Sequence, residues 1–590
     1  MREPVPRDAQ SSAAPARCRG TLRVAAAGSA CGVPVRSDTM EASMLRGIPS
    51  TMGDDHQLNV LSLLRHAAAN FPRTEVVHRR SDGGWGRSTY REELTRVARM
   101  AGALSGLGVG AGSTVGVLDW NSRRHYEAYF AVPSLGATMV QLNLRLGEAD
   151  LAYVVNHSQT EYVIVDESLL PIAEKLAGES YVKQWIVASD RPAGEVSTSL
   201  PGAVFLEELM AEAAETYPFE EVEESTAAYA GYTTGTTGRP KGVYYSHRAS
   251  YLHAVGVDAG LCLTYEDVTM PITPMFHVLS WGFPQAATAV GAKMVLPGRF
   301  SADDMGAIAK AFVDEDVTVA NGAPAIFAGL LQYIRAQPEA PDLSRARLVS
   351  GSTEPPVSLM KGFRELTGAE IIHGYGASET SPLVSLNWRI KPELGEIGED
   401  AAWDLKRAQG LPLLGVEVKI VDPVGEELPH DGSSMGELLI RGPWITTSYH
   451  KLSDSADRFL DGWWRSGDVA VIDGHGYIKL TDRLKDVIKS GGEWISSIDM
   501  ENAILDDARV KEAAVIGVPD EKWDERPVAY VVPAEGQSLT AEDVREGLSS
   551  RFAKWQLPDE VVFTEELPRT SVGKLDKKAI RGSHSGGGAQ

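Results

Sequence analysis

Cysteine is scarce in this 590-residue chain: there are three, and Cys18 and Cys31 fall in the N-terminal tail, leaving Cys262 alone in the body. That excludes a disulfide frame and a CxxC metal knuckle, and no HExxH pair is present. The chain therefore suits a reducing, cytoplasmic setting. No apolar run is long enough to span a bilayer, so a soluble protein is expected. Positive charge is in deficit, with Lys+Arg 57 against Asp+Glu 80 and a formal net charge of -23. This argues against a general nucleic-acid or anionic-membrane binder, while leaving room for a local basic pocket that holds nucleotide phosphates.

What is present is ample apolar material: 43% hydrophobic residues over a length that allows several domains with large cores. Residues 1–55 are Ala/Arg/Ser/Pro-rich and aperiodic. Arg2, Arg7, Arg17, Arg19, Arg23 and Arg36 suggest a transit peptide, but Glu3 and Asp8 spoil the acid-poor pattern. A disordered extension is expected, with Met40, Met44 and Met52 as alternative starts. The ending, "GSHSGGGAQ", reads as a flexible tail over 583–590.

Between the tails, helical and strand patterns alternate. "TYREELTRVARMAGALSGLG" and "SRRHYEAYFAVPSLG" have helical spacing, whereas "STVGVLDW", "TMVQLN" and "YVIVDE" read as strands. This succession predicts α/β layers with much parallel sheet. "GVGAGSTVG" follows a helix and precedes a strand, the reverse of a dinucleotide-binding turn, and is set aside. Beyond "GYIKLTDRLKD", short helices and strands alternate over the length of one small domain, with the boundary in the charged run Asp482–Asp486.

The stretch "YTTGTTGRPKGVYYSH", Tyr232 to His247, joins hydroxyls and glycines to Lys241. Glycine lets backbone approach an anion, threonine offers donors, and lysine supplies a point charge. The spacing fails the P-loop pattern, so a phosphate loop of another kind is predicted. "HGYGASETSPL" sets glycines beside Tyr375, Ser378 and Glu379: a ring to stack on a purine, a hydroxyl for phosphate, a carboxylate for Mg²⁺. "DGWWRSGD" ends in Asp468, whose oxygens suit a ribose diol. "DRLKDVIKSGGEWIS" combines Arg483, Lys485 and Lys489 with Gly491 and Gly492, and "LPRTSVGK" places Lys574 on a glycine-containing turn. Each cluster alone also fits a packing or surface role; their order along the chain favours a site.

That order, with "PMFHVLSWG", "SGSTEPP" and "GELLIRG" between them, closely resembles the adenylate-forming acyl-CoA synthetases over about Gln57 to Arg581. The branch it resembles comprises fatty-acyl-CoA synthetases with medium- to long-chain or methylthiopropionate substrates. The resemblance implies an α/β fold: a large N-terminal domain of α/β subdomains over 56–484 and a small mobile α+β C-terminal domain over 485–582. It implies ATP, Mg²⁺ and coenzyme A, with a small-molecule carboxylic acid as substrate, and leaves a homodimer open. A carboxylate would attack the α-phosphate of ATP, and coenzyme A would then displace AMP.

By the same resemblance, Lys574 would bridge the carboxylate and α-phosphate. Thr233, Thr234, Gly235, Thr236, Thr237, Gly238 and Lys241 would wrap the β- and γ-phosphates. Thr233 and Glu379 would hold Mg²⁺ and Ser378, in place of the usual threonine, the α-phosphate. Gly351, His373, Gly374 and Tyr375 would frame the adenine, with Asp468 and Arg483 on the ribose. Glu354 and Pro355 stand where many relatives carry small residues, which leaves the adenine contact there open. Lys485 would be the hinge, Lys489 would assist with the adenylate, and Gly491, Gly492 and Trp494 would line the pantetheine path. Trp281 and Phe276 would lie at the acyl tunnel and His277 beside the carboxylate, in a positioning role because that acid is already ionised. "NGAPAIFAGLL" supplies small residues, among them Ala323 and Ala325, for an apolar acid, but apolar contacts discriminate weakly per methylene. A ligase for a short or aromatic acid such as methylthiopropionate, delivery to an acceptor other than CoA, and a silent nucleotide- or acyl-CoA-binding protein are the competing readings.

Overall fold

In a computed structural model, the structure describes residues 47–233, 239–300, 305–452, 455–491, 493–520, 522–568 and 575–586. Residues 47–55 contain no helix or strand. From His56 onward the chain is one compact unit.

Two sheets carry most of the molecule. A seven-stranded sheet runs Val204–Phe205, Gln184–Ala188, Tyr162–Asp166, Thr114–Leu118, Thr138–Gln141, Ala227–Tyr232 and Gly242–Ser246 in spatial order. Its neighbours are parallel except for the last pair. Strands such as Tyr162–Asp166 read as unbroken apolar runs because helices cover both faces of a parallel sheet. The helix Tyr90–Gly106 begins with a capping box, Thr89 accepting from the Glu92 amide and Glu92 from the Thr89 amide.

The nine-stranded sheet contains Val268–Pro271, Val319–Gly322, Arg347–Ser350 and Glu370–Gly376 as successive parallel neighbours. Their carboxyl ends therefore share one edge, where ligands of open α/β sheets bind. The connections leaving that edge carry Phe276, His277 and Trp281, then Ala323, then Gly351, then Ser378 and Glu379.

A five-stranded antiparallel sheet follows, in which Trp463–Ile472 pairs with Ile478–Arg483 and sets Asp468 opposite Arg483. The last sheet is built on the long hairpin Val510–Asp520 and Asp524–Pro533, with the helices Ser497–Leu505 and Ala541–Leu548 against it. One expectation changes here. The final helix, Lys577–Gly586, runs past the boundary set for the tail. The Ser583 hydroxyl donates to the Ala579 and Ile580 carbonyls, and Tyr530 and His584 pair at 2.9 Å, so contacts hold what composition alone marks as loose.

Candidate active site

The phosphate-loop candidate leaves the seven-stranded sheet between two antiparallel strands. Its neck is closed by the Thr233 amide donating to the Lys241 carbonyl at 2.9 Å and the Lys241 amide to Thr233 Oγ1 at 3.3 Å. Thr234, Gly235, Thr236, Thr237 and Gly238 lie outside the described residues. The Lys241 ammonium rests 4.9 Å from the centroid of the Tyr449 ring. Burial and the Arg458 charge push its pKa down.

Tyr449 also faces Glu379. Its hydroxyl donates to Glu379 Oε1 at 2.7 Å and accepts from Trp464 Nε1 at 3.3 Å. Burial raises the Glu379 pKa, opposed by this hydrogen bond. The backbone is pinned as well, Thr446 N donating to the Glu379 carbonyl and Tyr245 Oη to that of Ser378, each at 2.8 Å. Tyr449 and Trp464 belong to no phosphate-like motif, and only their place in the fold reveals them. "GPWITTSYH" offers no spacing that would have marked Tyr449.

Beside this lies the cluster expected to hold a nucleoside. The Tyr375 hydroxyl donates to Asp468 Oδ2 at 2.6 Å and the Arg483 guanidinium meets Asp468 Oδ1 at 2.7 Å. Burial and the Asp468 carboxylate hold the Tyr375 phenol well above its ordinary pKa, so it stays a donor. Asp468 lies within the strand Trp463–Ile472. His373 is pushed down to about 4 by burial, and its neutral ring directs Nδ1–H at the Arg407 and Ala408 carbonyls, 2.6 and 3.0 Å away. Glu354 pairs with Arg407 at 3.1 Å, close by.

Gly351 is forced by proximity. A Cβ on Gly351 would stand 2.7 Å from the Gly374 carbonyl oxygen and 2.8 Å from Trp281 Cη2. The Trp281 ring, expected at the acyl tunnel, thus packs against Gly351, which is expected beside the adenine. Phe276 and Trp281 are buried. Val278, Leu279, Ser280 and Trp281 have φ of 46, 57, 48 and 59°, and Gly282 follows at 74°. Consecutive left-handed residues cost roughly 1–2 kcal/mol each outside glycine, so their surroundings must hold this turn. Ala323 caps the helix Pro324–Arg335 and is half-buried; Ala325, in its first turn, is exposed.

The residues expected on the coenzyme side form a separate hairpin. Lys489 stands opposite Trp494 across Ile488–Ser490 and Glu493–Ile495, its amide donating to Glu525 Oε2 at 2.9 Å. The Gly491 amide reaches the Trp523 carbonyl at 2.8 Å. Gly492 and Lys574 lie outside the described residues. Lys485 is exposed and sits between two ties: Asp482 accepts from the Ser497 amide and hydroxyl, both at 2.6 Å, and Arg581 pairs with Asp486 at 2.8 Å.

Comparison with known proteins adds to this geometry. The AMP-binding enzyme family matches residues 64–450, and the AMP-binding enzyme C-terminal domain matches 499–574. A long-chain-fatty-acid–CoA ligase of Thermus thermophilus is 44% identical over 547 residues, 92% of this chain and 98% of that one. A medium-chain-fatty-acid–CoA ligase of Ectopseudomonas oleovorans is 37% identical over 89% of this chain and 96% of its own length. A 3-methylmercaptopropionyl-CoA ligase of Ruegeria lacuscaerulensis is 39% identical over 89% and 97%. Among solved structures, the anthranilate CoA ligase AuaEII in complex with anthranoyl-AMP superposes with a TM-score of 0.75 at 25% identity, covering 91% of this chain and 99% of that one.

Proposed function

The chain belongs to the AMP-binding enzyme family and is an AMP-forming acyl-CoA ligase, and on that premise we propose that its acid is a medium- to long-chain fatty acid. In the first step a carboxylate oxygen attacks the α-phosphorus of ATP. The bond to the bridging oxygen of the β-phosphate breaks, and pyrophosphate leaves with that electron pair. In the second, the coenzyme A thiol gives up its proton and attacks the acyl carbon, releasing AMP.

The observation that carries the reading is the convergence, on one edge of parallel strands, of Lys241–Tyr449–Glu379, Tyr375–Asp468–Arg483, and Trp281 against Gly351. Lys241 and the neck at Thr233 offer fixed positive charge and donors to a departing polyphosphate, where preorganised electrostatics act strongly. Asp468 presents carboxylate oxygens to a ribose, held by Tyr375 and Arg483. Trp281 and Phe276 are large, buried apolar side chains, which suit a neighbouring alkyl chain.

Mg²⁺ is part of the proposal. Among the described residues no group of three or more His, Cys, Asp or Glu could hold a metal ion. Glu379 with the Thr233 hydroxyl fits instead a cation that takes its remaining oxygens from bound phosphates. Such an ion, when bound, would neutralise charge on the phosphates. The site residues outside the described set, Thr234–Gly238, Gly492 and Lys574, keep their proposed roles, as does the division at Lys485 into 56–484 and a swinging 485–582.

The test is pyrophosphate release from ATP across a saturated carboxylate series from butyrate to stearate, with 3-methylthiopropionate and benzoate added, with and without coenzyme A. Thioester and AMP formed only with coenzyme A, with best turnover on the longer alkyl acids, is the expected result. Adenylate without thioester would point to another acceptor. Best turnover on 3-methylthiopropionate or benzoate would overturn the fatty-acid assignment.

A further inference from the structure

The left-handed turn Val278–Gly282 carries Trp281, yet apart from Gly282 nothing in its own sequence favours that backbone. Two buried asparagines reach it and the segment before it from opposite sides. Asn121 follows the strand Thr114–Leu118 of the seven-stranded sheet. Its Nδ2 donates to the Pro271 carbonyl at 2.7 Å and the Thr273 carbonyl at 3.0 Å, and its Oδ1 accepts from the Met275 amide at 2.8 Å.

Asn321, on the strand Val319–Gly322 of the nine-stranded sheet, works from the other side. Its Oδ1 accepts from the Thr273 amide at 3.3 Å. Its Nδ2 donates to the Ser280 carbonyl at 2.7 Å and contacts Ser280 Oγ at 3.3 Å. Ser280 Oγ in turn donates to the Thr273 carbonyl at 2.7 Å, closing the loop on itself. Both asparagines are 2% exposed or less.

The Asn121 amide bonds the Pro271 and Thr273 carbonyls and the Met275 amide, and Asn321 Nδ2 bonds the Ser280 carbonyl, while the Thr273 amide is shared between Asn321 Oδ1 and the Asn321 main-chain carbonyl, 3.0 Å away, so each side chain uses one donor end and one acceptor end. Only an amide offers both in that shape. The turn they hold presses the Trp281 ring against Gly351 and fixes the direction in which Phe276 and His277 leave the sheet edge.

We propose that Asn121 and Asn321 are a splint joining the two large sheets through the 272–281 segment, positioning residues that set where Trp281 stands and thereby how the enzyme takes its acid. They act through Trp281 and His277 rather than on substrate. The acid readout of this proposal rests on the acyl-CoA ligase reading; the backbone readout does not.

The experiment compares wild type with Asn321→Asp, which replaces the amide donor facing the Ser280 carbonyl by a second oxygen, and with Ser280→Ala, which loses only the hydroxyl. For each, kcat and KM are measured for ATP and for the alkyl acid series, and amide hydrogen exchange is followed over 272–283. Asn321→Asp is expected to raise the acid KM about tenfold or more and flatten the dependence on chain length, with the ATP KM changed less than about twofold. Exchange in 275–283 accelerates locally. Ser280→Ala moves the same quantities the same way, by about threefold, and carries the test if the aspartate variant does not fold.

Acid KM and local exchange both within twofold of wild type in the variants that fold would overturn the proposal. So would acid KM, ATP KM and global exchange rising together, which marks general loosening. A wild type that releases no pyrophosphate with any acid would instead refute the ligase reading, while the exchange data would still judge the splint.

Discussion

Asp258, on the helix His247–Leu261, has a buried Oδ1 with no hydrogen-bond partner among the described residues, and burial pushes its pKa up to about 9. Folding therefore favours its protonated form. The stability this gives is fully present below the unfolded carboxyl range near 4 and is lost as pH rises through the folded value near 9. Asp258→Asn removes that dependence. The unfolding free energy of the variant relative to wild type, measured in urea between pH 5 and 8, should rise with pH, by at most about 1.4 kcal/mol per unit. Other titrations cancel in that difference, and parallel curves would mean that Asp258 does not titrate this way. Tyr449→Phe is a second single-atom test. It keeps the ring beneath Lys241 but strips the donor from Glu379 Oε1, at a cost of about 1–2 kcal/mol in stability. Adenylate formation should fall about tenfold, while thioester formation from supplied acyl-adenylate holds, because in the role proposed for Glu379 its carboxylate serves only the first step.

The connections between strand and loop were the most readable part of the sequence, and the left-handed turn the least. "YVIVDE" and "TMVQLN" are strands Tyr162–Asp166 and Thr138–Gln141, because unbroken apolar runs have no other home in a parallel sheet. Tyr375, Asp468 and Arg483 were marked by their chemistry within motifs, and the fold brings them within hydrogen-bonding distance. "HVLSWG" gives no such warning. Valine, leucine and tryptophan disfavour positive φ, and the asparagine contacts proposed to hold this segment come from residues far away in sequence, Asn321 to Ser280 within the turn and Asn121 to Met275 just before it, so local propensity is overruled by tertiary contacts. The same closeness explains Gly351. Gly351→Ala must displace either the Trp281 ring or the Gly374 carbonyl, and both ATP and acid KM should rise, each by about tenfold. A change confined to the acid would show that the ring alone had yielded.

Across the molecule, the open matter is how one site performs two displacements whose nucleophiles differ in kind. The described residues proposed for the coenzyme side form their own hairpin, Ile488–Ser490 with Glu493–Ile495, beyond the connection at Lys485. Asp482 and Asp486, on either side of Lys485, are tied to Ser497 and Arg581. A rotation at Lys485 between these ties would change which face of the small domain meets the nucleotide. Lys485→Pro tests this directly, since proline holds φ near −65° and narrows the preceding residue as well. A folded variant fixed in one arrangement should keep one half-reaction and lose the other. Pyrophosphate release in the first turnover and thioester formation from supplied acyl-adenylate should then separate by at least about tenfold. If both fall alike with the melting temperature unchanged, the backbone at 485 does not carry the swing, and the two steps share a single arrangement of the chain.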